Sequence, residues 1–171
     1  MRLAVTGKNG QVVSALQAFA NDELEIVTLG RPELDLARPE TVAKVLYDAK
    51  PDVVVSAAAY TAVDRAESEP EVAFAVNRDG ARAVAKAAKE LGIPVIHLST
   101  DYVFDGTKGS PYVESDPTAP LPSTATRSLK AKTPLPTPTL ITSSCARHGS
   151  IRNTATTLSK PCLGLAKARM R

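Results

Sequence analysis

Four short apolar runs, each followed by a turn and a helix-like stretch, constrain this chain more than any other feature. Leu3-Ala4-Val5 ends at Gly7, and Val13, Leu16 and Phe19 then recur at helical spacing between Gly10 and Phe19. Glu25 to Leu29 is the second run; Glu40 to Ala49 is the helix after it, with Pro39 at its start. Asp52 to Ser56, bounded by Pro51, is the third run and is rich in β-branched residues. Pro70 to Leu91 reads as a long Ala-rich helix with Gly92 just past its end. Pro94 to Ser99 is the fourth run. Runs that are apolar throughout suit strands buried on both faces. Strands alternating with helices predict an α/β domain, a parallel sheet with helices on both faces. Ligands of such sheets lie beyond the carboxyl ends of the strands, so chemistry is expected after Val5, Leu29, Ser56 and Ser99.

The loops at those places carry suitable residues. After the first strand comes Thr6-Gly7-Lys8-Asn9-Gly10-Gln11-Val12, a glycine turn opening a helix. Free N–H groups at such a turn suit a pyrophosphate, although Val13 stands where a third glycine is usual. After the second strand come Arg31 and, further on, Asp35-Leu36. An acidic residue there grips a ribose 2′-OH, whereas an arginine accommodates a 2′-phosphate, so Arg31 favours NADP over NAD. After the third strand, Ala57-Ala58-Ala59-Tyr60 lets backbone approach a flat cofactor closely. A tightly packed junction reads the same way.

Charge divides the chain near Leu121. Residues 1–121 hold 12 Lys and Arg against 18 Asp and Glu, a balance of −6, whereas residues 122–171 hold 9 Lys and Arg and no acid. The basic residues of that second part are scattered among Thr and Ser with no aromatic to stack a base, which argues against a nucleic-acid arm. Cys145 and Cys162 both lie there and fit no metal or redox spacing, so no metal site is expected. The start MRLAVTG lacks the shape of a signal peptide, and no apolar run reaches membrane-spanning length. A soluble, cytoplasmic location with no membrane partner is expected.

The motifs "VTGKNGQV", "SAAAYTAVDRAE", "VNRDGARAVAKAA" and "HLSTDYVFDG", followed by "PYVESDPTAPL", resemble the extended short-chain dehydrogenase/reductase superfamily. Within it they are most similar to the dTDP-4-dehydrorhamnose reductases, over residues 1–121. The resemblance implies a Rossmann-type domain that takes NADPH or NADH, NADPH favoured. It implies hydride transfer to the C4 ketone of a dTDP-activated 6-deoxy sugar, giving dTDP-L-rhamnose for cell-surface polysaccharide. By it, Gly7, Gly10, Gln11 and Val12 line the pyrophosphate, and Arg31, Asp35 and Leu36 lie near the adenosine end. Ala57, Ala58, Ala59, Tyr60 and Ser99 belong with the cofactor, and Asn77 braces the site through the long helix. Thr100 takes the hydroxyl position that orients the sugar carbonyl, and Asp101, Val103 and Phe104 shape the sugar pocket. A capped turn after a strand is the other reading of Thr100 and Asp101. The resemblance allows a homodimer, which this truncated chain does not support.

Ketone reduction needs a proton donor whose pKa is drawn toward neutrality. The resemblance implies a tyrosine with a lysine four residues later, just after "DPTAPL". Here residues 122–132 read "PSTATRSLKAK", and no tyrosine follows Tyr112. Tyr102 and Tyr112 lie upstream and lack the lysine. With permitted codons, the frame starting at the last base of the Pro122 codon reads "VYGHSKLKGE", which restores both residues at the family spacing. Further on, "TSSCARHGSIRNTATTLSKP" can likewise yield "ILRTAWVYSEYGNNFVKT". The expectation is a one-nucleotide loss near the Leu121 and Pro122 codons and a premature stop after Arg171. The domains are then 1–121, a NADP-binding Rossmann domain left incomplete, and 122–171, an out-of-family tail expected to be disordered or weakly structured. As written, the chain is expected to be an inactive reductase. A non-catalytic NADP-binding regulatory module and a genuine basic arm are the alternatives.

Overall fold

A computed structural model describes residues 1–99, 104–113, 115–117 and 140–141. In chain order the elements begin with strand β1 (Arg2–Thr6), helix α1 (Gln11–Gln17), β2 (Glu25–Leu29), α2 (Glu40–Ala49) and β3 (Val53–Ser56). Helices α3 (Val63–Ser68) and α4 (Pro70–Phe74) follow, then a π turn (Ala75–Gly80), α5 (Ala81–Leu91), β4 (Val95–His97) and β5 (Leu140–Ile141). The strands form one sheet in the order β2-β1-β3-β4-β5, and every neighbouring pair is parallel.

Register explains why the strands read as unbroken apolar runs. Ala4 lies opposite Val27 on one side and Val54 on the other, and Val54 lies opposite Val95. In-register residues of parallel strands share a face. Ala4, Val54 and Val95 pack with Val42 and Leu46 of α2, Val84, Ala87 and Ala88 of α5, and Leu34 and Leu36. Leu3, Val5, Val53, Val55 and Ile96 point the other way and pack with Val13 of α1 and with Leu24. Helices therefore cover both faces of the sheet, as the sequence pattern predicts.

The helix ends follow local chemistry. Pro70 sits at the start of α4, where its missing N–H costs nothing. Gly92 ends α5 at φ 70°, a left-handed conformation that suits glycine. Between them, residues 70–91 are helical throughout, but with a π turn in the middle that the sequence pattern does not reveal. The fourth strand is also shorter than the apolar run 94–99 suggests. Of residues 122–171, expected to be disordered or weakly structured, the structure describes 140–141. Leu140–Ile141 adds to β4 as a parallel edge strand, with Val95 opposite Leu140 and Ile96 opposite Ile141. An open sheet edge offers unpaired N–H and C=O groups to any short apolar segment of good strand propensity.

Helix α2 offers a contrast for testing this core. Leu46 is fully buried (0% exposed) and Tyr47 beside it is 66% exposed. Leu46→Ala is expected to lower unfolding free energy by about 2–5 kcal/mol, and Tyr47→Ala to change it by less than about 0.5 kcal/mol. Urea denaturation of both variants checks this; similar losses in the two would contradict the packing described.

Candidate functional site at the carboxyl ends of the strands

β1 lies between β2 and β3, so the connections leaving the carboxyl ends of β1, β2 and β3 meet at a point where strand order reverses. Thr6, the last residue of β1, is fully buried. Its Oγ1 accepts hydrogen bonds from the backbone N–H groups of Ala57 and Ala58, each at 3.0 Å. One hydroxyl thereby joins the end of β1 to the alanine loop after β3.

Gly7 has φ 104°, a conformation that side chains rarely tolerate, and its N–H donates to the Leu29 carbonyl at 2.6 Å. A Cβ at Gly7 would lie 3.6 Å from the Ala58 Cβ, so the glycine turn and the alanine loop are in close approach. Gly10, exposed, precedes α1 without capping it through a side chain, and Gln11 and Val12 are its first residues. Gly30 is buried, and a Cβ there would press on the Lys8 side chain at 3.1 Å. Lys8 reaches across to Glu33 with Nζ–Oε2 at 2.6 Å, which holds the Glu33 carboxyl below its usual range. Arg31 is exposed and, among the described residues, has no ion-pair partner.

Asp35 is half-buried and serves its own loop. Its Oδ1 accepts from the Ala37 N–H at 3.0 Å, and Arg38 stands 3.7 Å from Oδ2. Leu36, next to it, is buried in the core. On the other side of the crevice, Asn77 clamps Tyr60. The Tyr60 N–H donates to Asn77 Oδ1 at 2.7 Å, and Asn77 Nδ2 donates to the Tyr60 carbonyl at 3.1 Å. The Tyr60 phenol donates to Glu69 Oε2 at 2.9 Å, and Arg65 donates to the same carboxylate. The hydrogen bond to Glu69 raises the phenol's pKa and lowers that of Glu69. Tyr60 is thus a donor committed to a carboxylate, the opposite of an activated proton source. At the end of β4, Ser99 Oγ is buried with no hydrogen-bond partner among the described residues.

Thr100, Asp101 and Val103 lie outside the described residues. Phe104 is described, and it stacks on Tyr112 with ring centroids 4.2 Å apart. Their turn is organised by two carboxylates. Asp105 accepts from the Thr107 N–H, the Thr107 hydroxyl and the Tyr112 phenol, and Asp116 accepts from Lys108 and the Val113 N–H. Among the described residues no group of three or more His, Cys, Asp or Glu could hold a metal ion, and no helix is long and apolar enough to cross a membrane.

The structure brings Gly7 and Ala58 together, and Tyr60 and Asn77. Leu36 belongs to the loop after β2, on the other side of β1. Thr6 and Glu69 are participants that sequence reasoning missed. Thr6 reads as an ordinary β-branched strand residue, and its signal, a hydroxyl at the last strand position before a glycine, is faint.

This geometry defines an α/β domain of the Rossmann type. Residues 1–152 match the family model described as RmlD substrate binding domain. A dTDP-4-dehydrorhamnose reductase of Sinorhizobium fredii is 66% identical over 121 residues, covering 71% of this chain and 41% of that protein. One from Escherichia coli is 37% identical over 179 residues, covering 99% of this chain and 58% of that protein. The crystal structure of a dTDP-4-dehydrorhamnose reductase from Bacillus anthracis, in complex with NADP, superimposes with a TM-score of 0.72 at 34% identity, covering 77% of this chain and 47% of that one. The chain belongs to the RmlD substrate binding domain family, and its relatives are dTDP-4-dehydrorhamnose reductases. It spans 41% and 58% of the length of the two relatives named.

Two tests follow from the site itself. Thr6→Val keeps the shape but leaves the Ala57 and Ala58 N–H groups without their acceptor, at a cost of about 1–3 kcal/mol; Thr6→Ser should recover most of it. Equal stability of the valine variant in urea denaturation would show that the two bonds matter little. Acid should loosen the 104–117 turn. The Thr107 hydrogen bonds hold Asp105 below its ordinary value of 3.8, and Lys108 does the same for Asp116. A depressed carboxyl contributes fully above its unfolded pKa and loses that contribution as pH falls through the folded value. Exchange at the Thr107 and Val113 amides, corrected for intrinsic rate, should therefore accelerate as pH falls below 3.8 and not above it. Protection unchanged down through that range would contradict the anchoring role.

Proposed function

We propose that residues 1–121 are the NADP(H)-binding part of a dTDP-4-dehydrorhamnose reductase, and that residues 122–171 are read from a neighbouring frame and lack the catalytic tyrosine and lysine. The observation that carries the nucleotide reading is the crevice beside β1. Gly7 at φ 104° approaches Ala58, and Thr6 fixes that loop through two amides. A glycine turn at the end of β1, leading into the N-terminus of α1 and lined only by the small Ala58 and by Val13, suits a pyrophosphate. Ser99 Oγ, just past β4, is buried without a hydrogen-bond partner among the described residues, which supports a ligand at the carboxyl ends of the strands. Arg31 is exposed just after β2, which supports a 2′-phosphate partner and so NADPH over NADH.

When bound, NADPH supplies the hydride that reduces the C4 ketone of the dTDP-sugar. This chain's residues hold the nucleotide and orient the substrate. Gly7, Gly10, Gln11 and Val12 line the pyrophosphate, and Arg31 lies at the adenosine end, with Asp35 and buried Leu36 shaping the loop there. Asn77 keeps Tyr60 and the alanine loop in place. By the family resemblance, the Thr100 hydroxyl would hydrogen-bond the sugar oxygen, on which ketone reduction develops negative charge. The proton for that oxygen must come from an acid, and Tyr60, bound to Glu69 with a raised pKa, is unsuited to give it. A soluble cytoplasmic setting follows from the nucleotide-sugar substrate.

The chain as written is expected to bind NADPH and to show no turnover with dTDP-4-dehydrorhamnose. Expression from a gene with one base added near the Pro122 codon should give reductase activity, measured as NADPH oxidation. In that protein Thr100→Ala should lower kcat by about 10²–10³-fold. A folded, frame-restored protein without reductase activity would sink the assignment.

A further inference from the structure

Asn77 and Gly80 stand three residues apart in the π turn and meet two different loops. Asn77 holds the Tyr60 backbone by both its N–H and its carbonyl. Gly80 is buried against Leu36. A Cβ placed on it would lie 2.6 Å from the Leu36 carbonyl oxygen, 2.7 Å from its Cβ and 3.1 Å from its Cα. Two of these atoms are backbone, so no change of rotamer relieves the overlap. Residues three apart in an α-helix lie about 60° apart around the axis. The wider i→i+5 turn spreads them further. One turn thus reaches the segment after β2 and the loop after β3 at once, on either side of β1.

We propose that the π turn is a common fulcrum for the two ends of the nucleotide site, and that Gly80 is a positioning residue for the adenosine end, acting through Leu36. The proposal rests on the nucleotide reading above. The segment 34–38 is held from two sides. Leu36 rests on Gly80, and Thr41 of α2 takes the Asp35 N–H on Oγ1 at 3.2 Å while donating to the Arg38 carbonyl at 2.8 Å. A methyl group at position 80 must push that segment off the helix. The Asn77–Tyr60 clamp lies on another side of the turn and is left in place. Deleting the Asn77 side chain does the reverse, freeing the loop after β3 and leaving Leu36 seated. A dinucleotide across this crevice places its adenosine ribose at the β2 side and its nicotinamide half at the β3 side.

The full chain can be titrated with two probes, adenosine 2′,5′-bisphosphate for one half and reduced nicotinamide mononucleotide for the other. Gly80→Ala should weaken the first about tenfold and leave the second nearly unchanged. It should also speed amide exchange at Asp35 and Ala37 but not at Tyr60. Asn77→Ala should give the mirror pattern. If Gly80→Ala fails to fold, Thr41→Val loosens the same segment from the α2 side and must show the adenosine-selective loss. Equal losses on both probes, or no change on either, overturn the proposal. An unmodified chain that binds neither probe overturns the nucleotide reading and this proposal together. Binding by the unmodified chain with unselective losses in the variants overturns this proposal alone.

Discussion

The position of β1 between β2 and β3 is the constraint on which the rest of the molecule depends. Parallel pairing on both sides puts β1 inside the sheet, and the helices over its two faces bury Ala4 on one and Val5 on the other. The same arrangement sends the chain away from β1 in opposite directions, first to β2 and later to β3. The glycine turn after β1 therefore sits in a crevice rather than on a flat rim. Thr6 fixes the geometry there with one buried hydroxyl and two backbone amides. Amides partly shielded from water need a partner, and a strand-end threonine supplies it without breaking the sheet.

The long helical segment after β3 ties the site to the core. Its α5 end presses Val84, Ala87 and Ala88 onto the sheet. Its π turn meets Tyr60 through Asn77 and Leu36 through Gly80. A single rigid element therefore touches the loops on both sides of β1. Such sharing suits a site that must grip a long ligand at both ends, since rigid supports preserve geometry better than loops alone.

Much of this was legible in the sequence because strands buried on both faces leave a strong mark. Glu25 to Leu29 and Glu40 to Ala49 coincide with β2 and α2. The places where chemistry should lie follow from strand ends, so Gly7 and Ala58 could be singled out; Asn77, inside the long helix, came only from the family resemblance. The contacts among them were not legible. Thr6 bonds residues about 50 positions away, and its β-branched side chain looks like any strand residue. The π turn hides in "AVNRDG", which fits an α-helix equally well. Gly80 reads as a weak spot in a helix until Leu36 is seen against it. The edge strand Leu140–Ile141 escaped because its pairing depends on the open side of β4, not on a pattern of its own.

The most direct measurement is the nucleotide sequence of the gene from the codon for Ala119 to that for Lys132, read from independently prepared DNA. The expected result is a neighbouring frame that reads "VYGHSKLKGE", with tyrosine and lysine at the spacing reduction requires. A neighbouring frame without that pair would contradict the claim that a reductase's catalytic helix lies displaced behind residue 121.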